Sequence, residues 1–203
     1  MLPCGPIPAA MRGWLYKNDI MTSKQLCSIF KIDDLRLLPE VILPIVLSNS
    51  KERDALYRQL IEMNAHDLSY DWFQSIYEGE FSERKEKKQD FTPNSVGILS
   101  SALTAMKDGS TYEPTAGNGS MIISDWWRKA SSHFPFNFYP SRNPVECWEL
   151  SDRSIPILLL NLSIRGIVGV VHHGDVLEQA EKATYRLINE KDDCLGFSKV
   201  FAL

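Results

Sequence analysis

The stretch Tyr112-Glu113-Pro114-Thr115-Ala116-Gly117-Asn118-Gly119-Ser120-Met121 constrains the fold of this chain more than any other feature. An acidic residue closes the short segment Thr111 to Glu113, predicted to be the end of a strand. A Gly-x-Gly turn then opens a predicted helix that starts over Met121 to Ala130. This order sets the turn at the carboxyl end of a strand, where open α/β sheets bind ligands. Glycine permits positive φ and lets backbone approach a ligand closely. A Gly-x-Gly pair alone fits a plain tight turn equally well, so its meaning depends on its neighbours.

Downstream, Val145 to Leu150 alternates in burial as a strand does and carries Glu149 at its end. A carboxylate there suits a ribose, because two vicinal hydroxyls can donate to its two oxygens. Ile155 to Arg165 predicts a helix that opens with Pro156, and Gly166 punctuates it. Ile167 to Val171 predicts a buried strand, followed by Gly174-Asp175-Val176-Leu177. Asp175 would stand at the end of that third strand, placed to accept from an adenine amino group. For Glu149 and Asp175 the plainer alternative is an ordinary exposed acid at a strand end. A turn or helix is expected from Asp175 to Ala180, with weaker strands over Tyr185 to Ile188 and Val200 to Leu203. Strands alternating with helices predict a parallel, doubly wound sheet. Upstream, Phe91-Thr92-Pro93 precedes an amphipathic helix over Asn94 to Met106 and is placed to close over the methionine end of a ligand.

The first part of the chain has a different texture. Residues 1–21, with Pro3, Gly5, Pro6 and Pro8, read as a flexible tail without the basic and apolar regions of a signal peptide. From Thr22 to about Tyr77 the periodicity is helical, with Thr22 or Ser23 and then Ser50 as N-caps. Leu37 to Leu47, interrupted by Pro39 and Pro44, predicts a broken buried helix or two short turns. Asp67 to Tyr77 continues the helical pattern, its aromatic residues read as core. Glu78 to Gln89 is dense in mixed charge and reads as a solvated linker, with Arg84, Lys85, Lys87 and Lys88 as the alternative phosphate contacts. The domain boundaries expected are therefore 1–21, 22–89 and 90–203.

Composition narrows the partners. The net charge of −4 argues against an autonomous DNA binder, since phosphate neutralisation supplies most non-specific affinity. Any DNA would be held largely through a partner protein. No apolar run is long enough for a membrane span, so no membrane partner and a cytoplasmic location are expected. Cys4, Cys27, Cys147 and Cys194 have no metal-like or redox-like spacing. His172 and His173 are adjacent on a strand and point to opposite faces, so a shared metal site is not expected. The aromatic and proline-rich loop Phe134 to Pro144 is either a partner surface or a packed connection.

Taken in order, Phe91-Thr92-Pro93, Glu113-Pro114-Thr115-Ala116-Gly117-Asn118-Gly119, Trp148-Glu149-Leu150, Leu160-Asn161-Leu162-Ser163-Ile164-Arg165-Gly166-Ile167 and Gly174-Asp175-Val176-Leu177 resemble the modification subunit of type I restriction systems and related adenine-N6 DNA methylases. The resemblance covers about residues 90–190. It implies an α/β, Rossmann-like class I methyltransferase sheet, incomplete at about five strands and preceded by a small helical domain. It implies S-adenosylmethionine as cofactor. Phe91, Thr92 and Pro93 would meet its amino-acid part, and Glu113, Ala116, Gly117 and Gly119 would shape its pocket. Glu149 would hold the ribose, Leu150 would flank the adenine and Asp175 would bind the adenine amine.

The family's catalytic motif, Asn or Asp-Pro-Pro-Tyr or Phe, is absent, for no proline follows Pro156. Its counterpart here is Leu187-Ile188-Asn189-Glu190-Lys191-Asp192, which keeps only Asn189 as an acceptor for the target amine. The rigid turn and the ring that stacks on a flipped base are both replaced. The expectation is a degenerate methyltransferase whose one remaining catalytic candidate is Asn189. The alternative is a non-catalytic interaction module, such as a restriction-subunit mimic or a phage-type counter-defence protein. Either would work beside other subunits of a restriction-modification or defence system.

Overall fold

A computed structural model describes residues 21–74, 92–104, 108–134 and 137–203. Phe91, the tail up to residue 20 and the charged run with Arg84, Lys85, Lys87 and Lys88 lie outside the described residues. The elements in chain order are α1 (Ser23–Phe30), a 3-10 turn (Leu35–Leu37), α2 (Leu38–Ser48), α3 (Lys51–Met63), α4 (Asn94–Leu103), β1 (Thr111–Glu113), α5 (Ser120–Ser131), a second 3-10 turn (Pro140–Arg142), β2 (Val145–Glu149), α6 (Ser154–Ile164), β3 (Gly169–Asp175), β4 (Ala180–Ile188) and β5 (Lys199–Ala202).

Local sequence explains the helix starts. Thr22 and Gln25 form a reciprocal capping box on α1, and Ser50 accepts from Arg53 N at the start of α3. The Leu37–Leu47 stretch is one helix. Pro39 falls in the first turn of α2, where a missing N–H matters little, and Pro44 is accommodated inside it. Leu68 to Phe73 does not continue as helix. Asp67 and Asp71 turn the chain by accepting from Ser69 N and Phe73 N, a competition with helix that acidic side chains often win. In the loop between α5 and β2, Phe138 and Pro140 are buried, so that part packs as a connection.

The sheet has five strands in the order β1-β2-β3-β4-β5. The first three are parallel, and β4 and β5 are antiparallel. The fold is therefore α/β with a mixed sheet, a correction to the all-parallel expectation. The cause is local. Asp175 Oδ1 accepts from Leu177 N and Glu178 N, which closes Val176–Gln179 into a hairpin that pairs Ala180 with Asp175. A crossover helix has no room to form between them.

With strands added in one direction, right-handed crossovers put α5 and α6 on the same face. All residues of α6 are buried. A helix apolar all round must have protein on every side. The sheet lies along one side of α6, and α1–α3 cover the other, tied on by a 2.6 Å hydrogen bond between Tyr57 and Ser163. Asn49 also clasps β5, donating to Val200 O and accepting from Val200 N. The helical segment and the sheet thus share one hydrophobic core, from Leu26, Ile42 and Tyr57 through Leu158 and Leu162 to Val171 and Val200. The opposite face of the sheet is different. Tyr112, Arg186 and Phe201 are exposed there, and Trp148 stacks on His172 at 4.5 Å.

Candidate functional site at the carboxyl ends of the parallel strands

Three strand ends gather the predicted ligand-binding residues. Glu113 ends β1, Glu149 ends β2 and Asp175 ends β3, and the three strands are parallel neighbours. The joint between the first two is direct. Gly117 N donates to Glu149 Oε2 at 2.7 Å, and Ser151 N donates to Glu149 Oε1 at 2.7 Å. Each carboxylate oxygen keeps a lone pair beyond these bonds, which is what a pair of vicinal hydroxyls requires. Burial pushes the Glu149 carboxyl above its ordinary value, while the two backbone donors and His173 pull the other way.

The Gly turn itself is fixed from below. Ala116 N donates to Trp148 O and Gly119 N to Ala116 O. Gly117 and Gly119 have φ of 56° and 95°, conformations that side chains with a Cβ rarely adopt. A Cβ on Gly119 would also stand 2.9 Å from Leu158 Cδ1, so this glycine lets the turn sit on α6. Glu113 Oε1 accepts from Thr115 N at 3.3 Å, and Ala116 is buried. Leu150 is 55% exposed beside Glu149, an apolar surface available to a flat ring. Asp175 spends Oδ1 on its hairpin, and no hydrogen bond to Oδ2 occurs among the described residues.

Thr92 and Pro93 reach the same end of the molecule. Gly97 lies against Ser120 and Ser124, and Ser101 accepts from Arg128 Nε at 2.8 Å. The two contacts advance together, so α4 and α5 run in the same direction. Pro93, which precedes α4, is therefore carried towards the Gly turn that precedes α5. Gln74 Nε2 holds Thr92 O at 3.1 Å. The position of Phe91 lies outside the described residues.

Asn189 is not brought to this site. It follows β4, whose Leu187 pairs with Gly169 at the start of β3. The length of β3 separates it from Asp175, about 20 Å. Its Nδ2 is shared among Gly166 O, Asp193 O and Gly196 O, and its Oδ1 accepts from Lys191 N. The expectation that Asn189 stands at the mouth as a catalytic acceptor is corrected. The hairpin after Asp175 reverses the chain, and the amide organises the 189–198 turn.

Sequence reasoning missed three neighbours of the site. Ser151 N anchors Glu149. His173 points to the helix-covered face, its Nε2 2.9 Å from Asp152 Oδ1 but without hydrogen-bond alignment, while Asp152 also binds Lys182. Asp71, far upstream, is buried beside the Gly turn. A legible hint existed in Asn161, an amide in an otherwise strongly apolar helix. Such a residue needs buried partners.

Among the solved structures with partial similarity are three from bacteria. The methyltransferase subunit of a type I restriction-modification system from Streptococcus thermophilus shares 17% identity over 77% of this chain and 39% of its own, with a TM-score of 0.40. A modification subunit ascribed to a type I restriction enzyme of Vibrio vulnificus YJ016 shares 13% over 63% of this chain and 24% of its own, with a TM-score of 0.37. A protein from Listeria monocytogenes described as a class I S-adenosylmethionine-dependent methyltransferase shares 13% over 76% of this chain and 54% of its own, with a TM-score of 0.45. The chain thus spans little more than half of the length of the third and less of the other two. No family model and no curated protein sequence matches the chain.

Proposed function

We propose that this chain binds S-adenosylmethionine at the mouth formed by the Gly117–Gly119 turn, Glu149 and Asp175, on the plan of adenine-N6 DNA methyltransferases, and that its methyl-transfer step is impaired. The observation that carries the reading is the 2.7 Å bond from Gly117 N to Glu149. It joins a glycine turn on one strand to a ribose-type acid on the next, as a nucleoside ligand would need. The residues present fit the cofactor. Glu149 offers lone pairs to its ribose hydroxyls, Leu150 an apolar face to its adenine, and Asp175 an acceptor to the adenine amine. Thr92, Pro93, Glu113, Ala116, Gly117 and Gly119 would border its methionine end, with Phe91 as the neighbour expected from the sequence. When bound, the cofactor supplies an electrophilic methyl group.

Impairment is supported by the place and occupation of Asn189. An acceptor about 20 Å from the mouth cannot orient a target amine there, and misplacement of even ~1 Å lowers a rate by about a hundredfold. Full activity would require a partner chain to supply the missing acceptor and the stacking ring. We therefore propose a subunit of a restriction-modification or other defence system, with DNA reached through that partner because the chain itself is acidic.

One observation favours the second reading, an interaction module without catalysis: the sheet face carrying Tyr112, Trp148 and Phe201 is not covered by a helix among the described residues. Parallel strands are ordinarily covered on both faces. Calorimetric titration with S-adenosylmethionine separates the readings. Micromolar binding, about −8 kcal/mol, that weakens in Glu149→Ala is the expected result. No binding to the folded protein overturns the cofactor reading. Methyl transfer to unmethylated DNA by the chain alone would overturn the proposed impairment.

A further inference from the structure

We infer that Asp71 and Asn161 are positioning residues for the ligand turn, which the N-terminal helical segment thereby holds in its binding shape. The inference rests on the cofactor reading above for its ligand, though its geometry does not. Asn161 sits in the middle of α6 and is fully buried. Its Nδ2 donates to Asn118 O, between the two glycines of the turn, at 2.9 Å, and to Asp71 Oδ1 at 2.9 Å. Its Oδ1 accepts from Arg165 at 3.1 Å. A guanidinium only donates, so the amide oxygen must face Arg165 and both amide hydrogens must face Asp71 and the turn. The orientation of the amide is chemically determined.

Arg165 is itself immobilised. It donates to Leu68 O, Tyr70 O and Asn161 O and lies over the Trp72 ring at 5.0 Å. Burial pulls its guanidinium down to about 10, so it remains charged at neutral pH. Asp71 and Arg165 therefore grip Asn161 from opposite ends, both anchored in the segment 68–73. Glu149 restrains the turn through Gly117 N, and Asn161 restrains it through the next residue's carbonyl. Asp71 Oδ2 and the side-chain Nδ2 and Oδ1 of Asn118 are buried without a hydrogen-bond partner among the described residues. Burial raises the Asp71 carboxyl above its ordinary value, against the bonds from Asn161 and Phe73, the Arg165 charge and the nearby Asn118 amide. Polar side chains from three segments thus gather behind one turn, where apolar packing alone would not place them.

The test reads the turn with and without ligand. Hydrogen exchange at the amides of Gly117 and Gly119 is measured in the ligand-free wild type, Asp71→Ala, Asn161→Ala, Asp71→Asn and Asp71→Leu, and S-adenosylmethionine affinity is then measured in each. The two alanine variants should exchange about tenfold faster at the turn and bind about tenfold more weakly, while remaining folded. Asp71→Asn keeps an acceptor for Asn161 and should restore both readouts to near wild type, whereas Asp71→Leu, which fills the space without an acceptor, should behave as alanine does; a merely space-filling role would let both rescue. If alanine unfolds the chain, Asn161→Ser serves instead, since its hydroxyl cannot make both bonds. Unchanged exchange at Gly117 and Gly119 in the folded variants overturns the positioning role. Faster exchange in a protein whose wild type binds no S-adenosylmethionine supports the positioning role and overturns the cofactor reading alone.

Discussion

Glu149 and Asn189 are both buried polar side chains beside the same sheet, yet they belong to regions with opposite logic. Glu149 lies where parallel strands end together, and its carboxylate accepts backbone amides from two loops while keeping lone pairs to spare. Asn189 lies where an antiparallel strand has returned to the other end of the sheet, and its amide is consumed by two carbonyls of its own turn and by Gly166 O, between α6 and β3. Parallel strands collect loops from distant parts of the chain at one end, so side chains there face a shared mouth. A hairpin closes on itself, and its polar residues are spent locally. A buried polar side chain therefore means different things in the two halves of this sheet.

The contrast can be broken most severely at Gly169. A Cβ there would stand 1.8 Å from Val145 O of the neighbouring strand, at a φ of 151°. Gly169→Ala should force β2 from β3 and lower stability by roughly 3–5 kcal/mol in urea unfolding. A wild-type midpoint would mean that the parallel half tolerates a separation this geometry forbids.

Asn189→Ala comes next. It strips three carbonyls of a shared donor, and a loss of about 2–3 kcal/mol is expected, with cofactor affinity unchanged in the folded protein. Loss of ligand binding at unaltered stability would show that the antiparallel end does reach the mouth. Glu149→Gln should do the reverse, weakening the ligand about tenfold, or about 1.4 kcal/mol, by removing the charge and one acceptor.

The smallest effect separates two acids by pH. Burial raises Glu149, so what it adds to stability is complete below its unfolded value and is lost as pH rises through the folded value. Burial acts on Asp125 too, but bonds from Lys129, Thr111 and Arg128 prevail and hold it low. Its contribution is present above the unfolded value and is lost as pH falls through the folded one. From acid to neutral pH, wild type should lose stability relative to Glu149→Gln and gain it relative to Asp125→Asn. Parallel trends in the two pairs would contradict the assigned environments.

Much of the site was legible because it depends on short-range signals. Glu113, Glu149 and Asp175 each close a strand and the Gly turn follows one, and a strand's end is readable from alternation and turn residues. The helix caps at Thr22 and Ser50 are local hydrogen bonds and were equally readable. The sequence by itself therefore determined which residues end the strands and where most helices begin. Only the tertiary structure decided that β4 turns back against β3, that Asn189 is carried away from the mouth, and that Asp71 supports a turn more than forty residues downstream through Asn161. The reason is physical. Strand direction after Asp175 hinges on one four-residue turn, and the buried Asp71–Asn161–Asn118 chain joins three segments that no periodicity relates. Local propensity fixes elements, whereas the pairing of buried polar groups is settled only when those elements share a core.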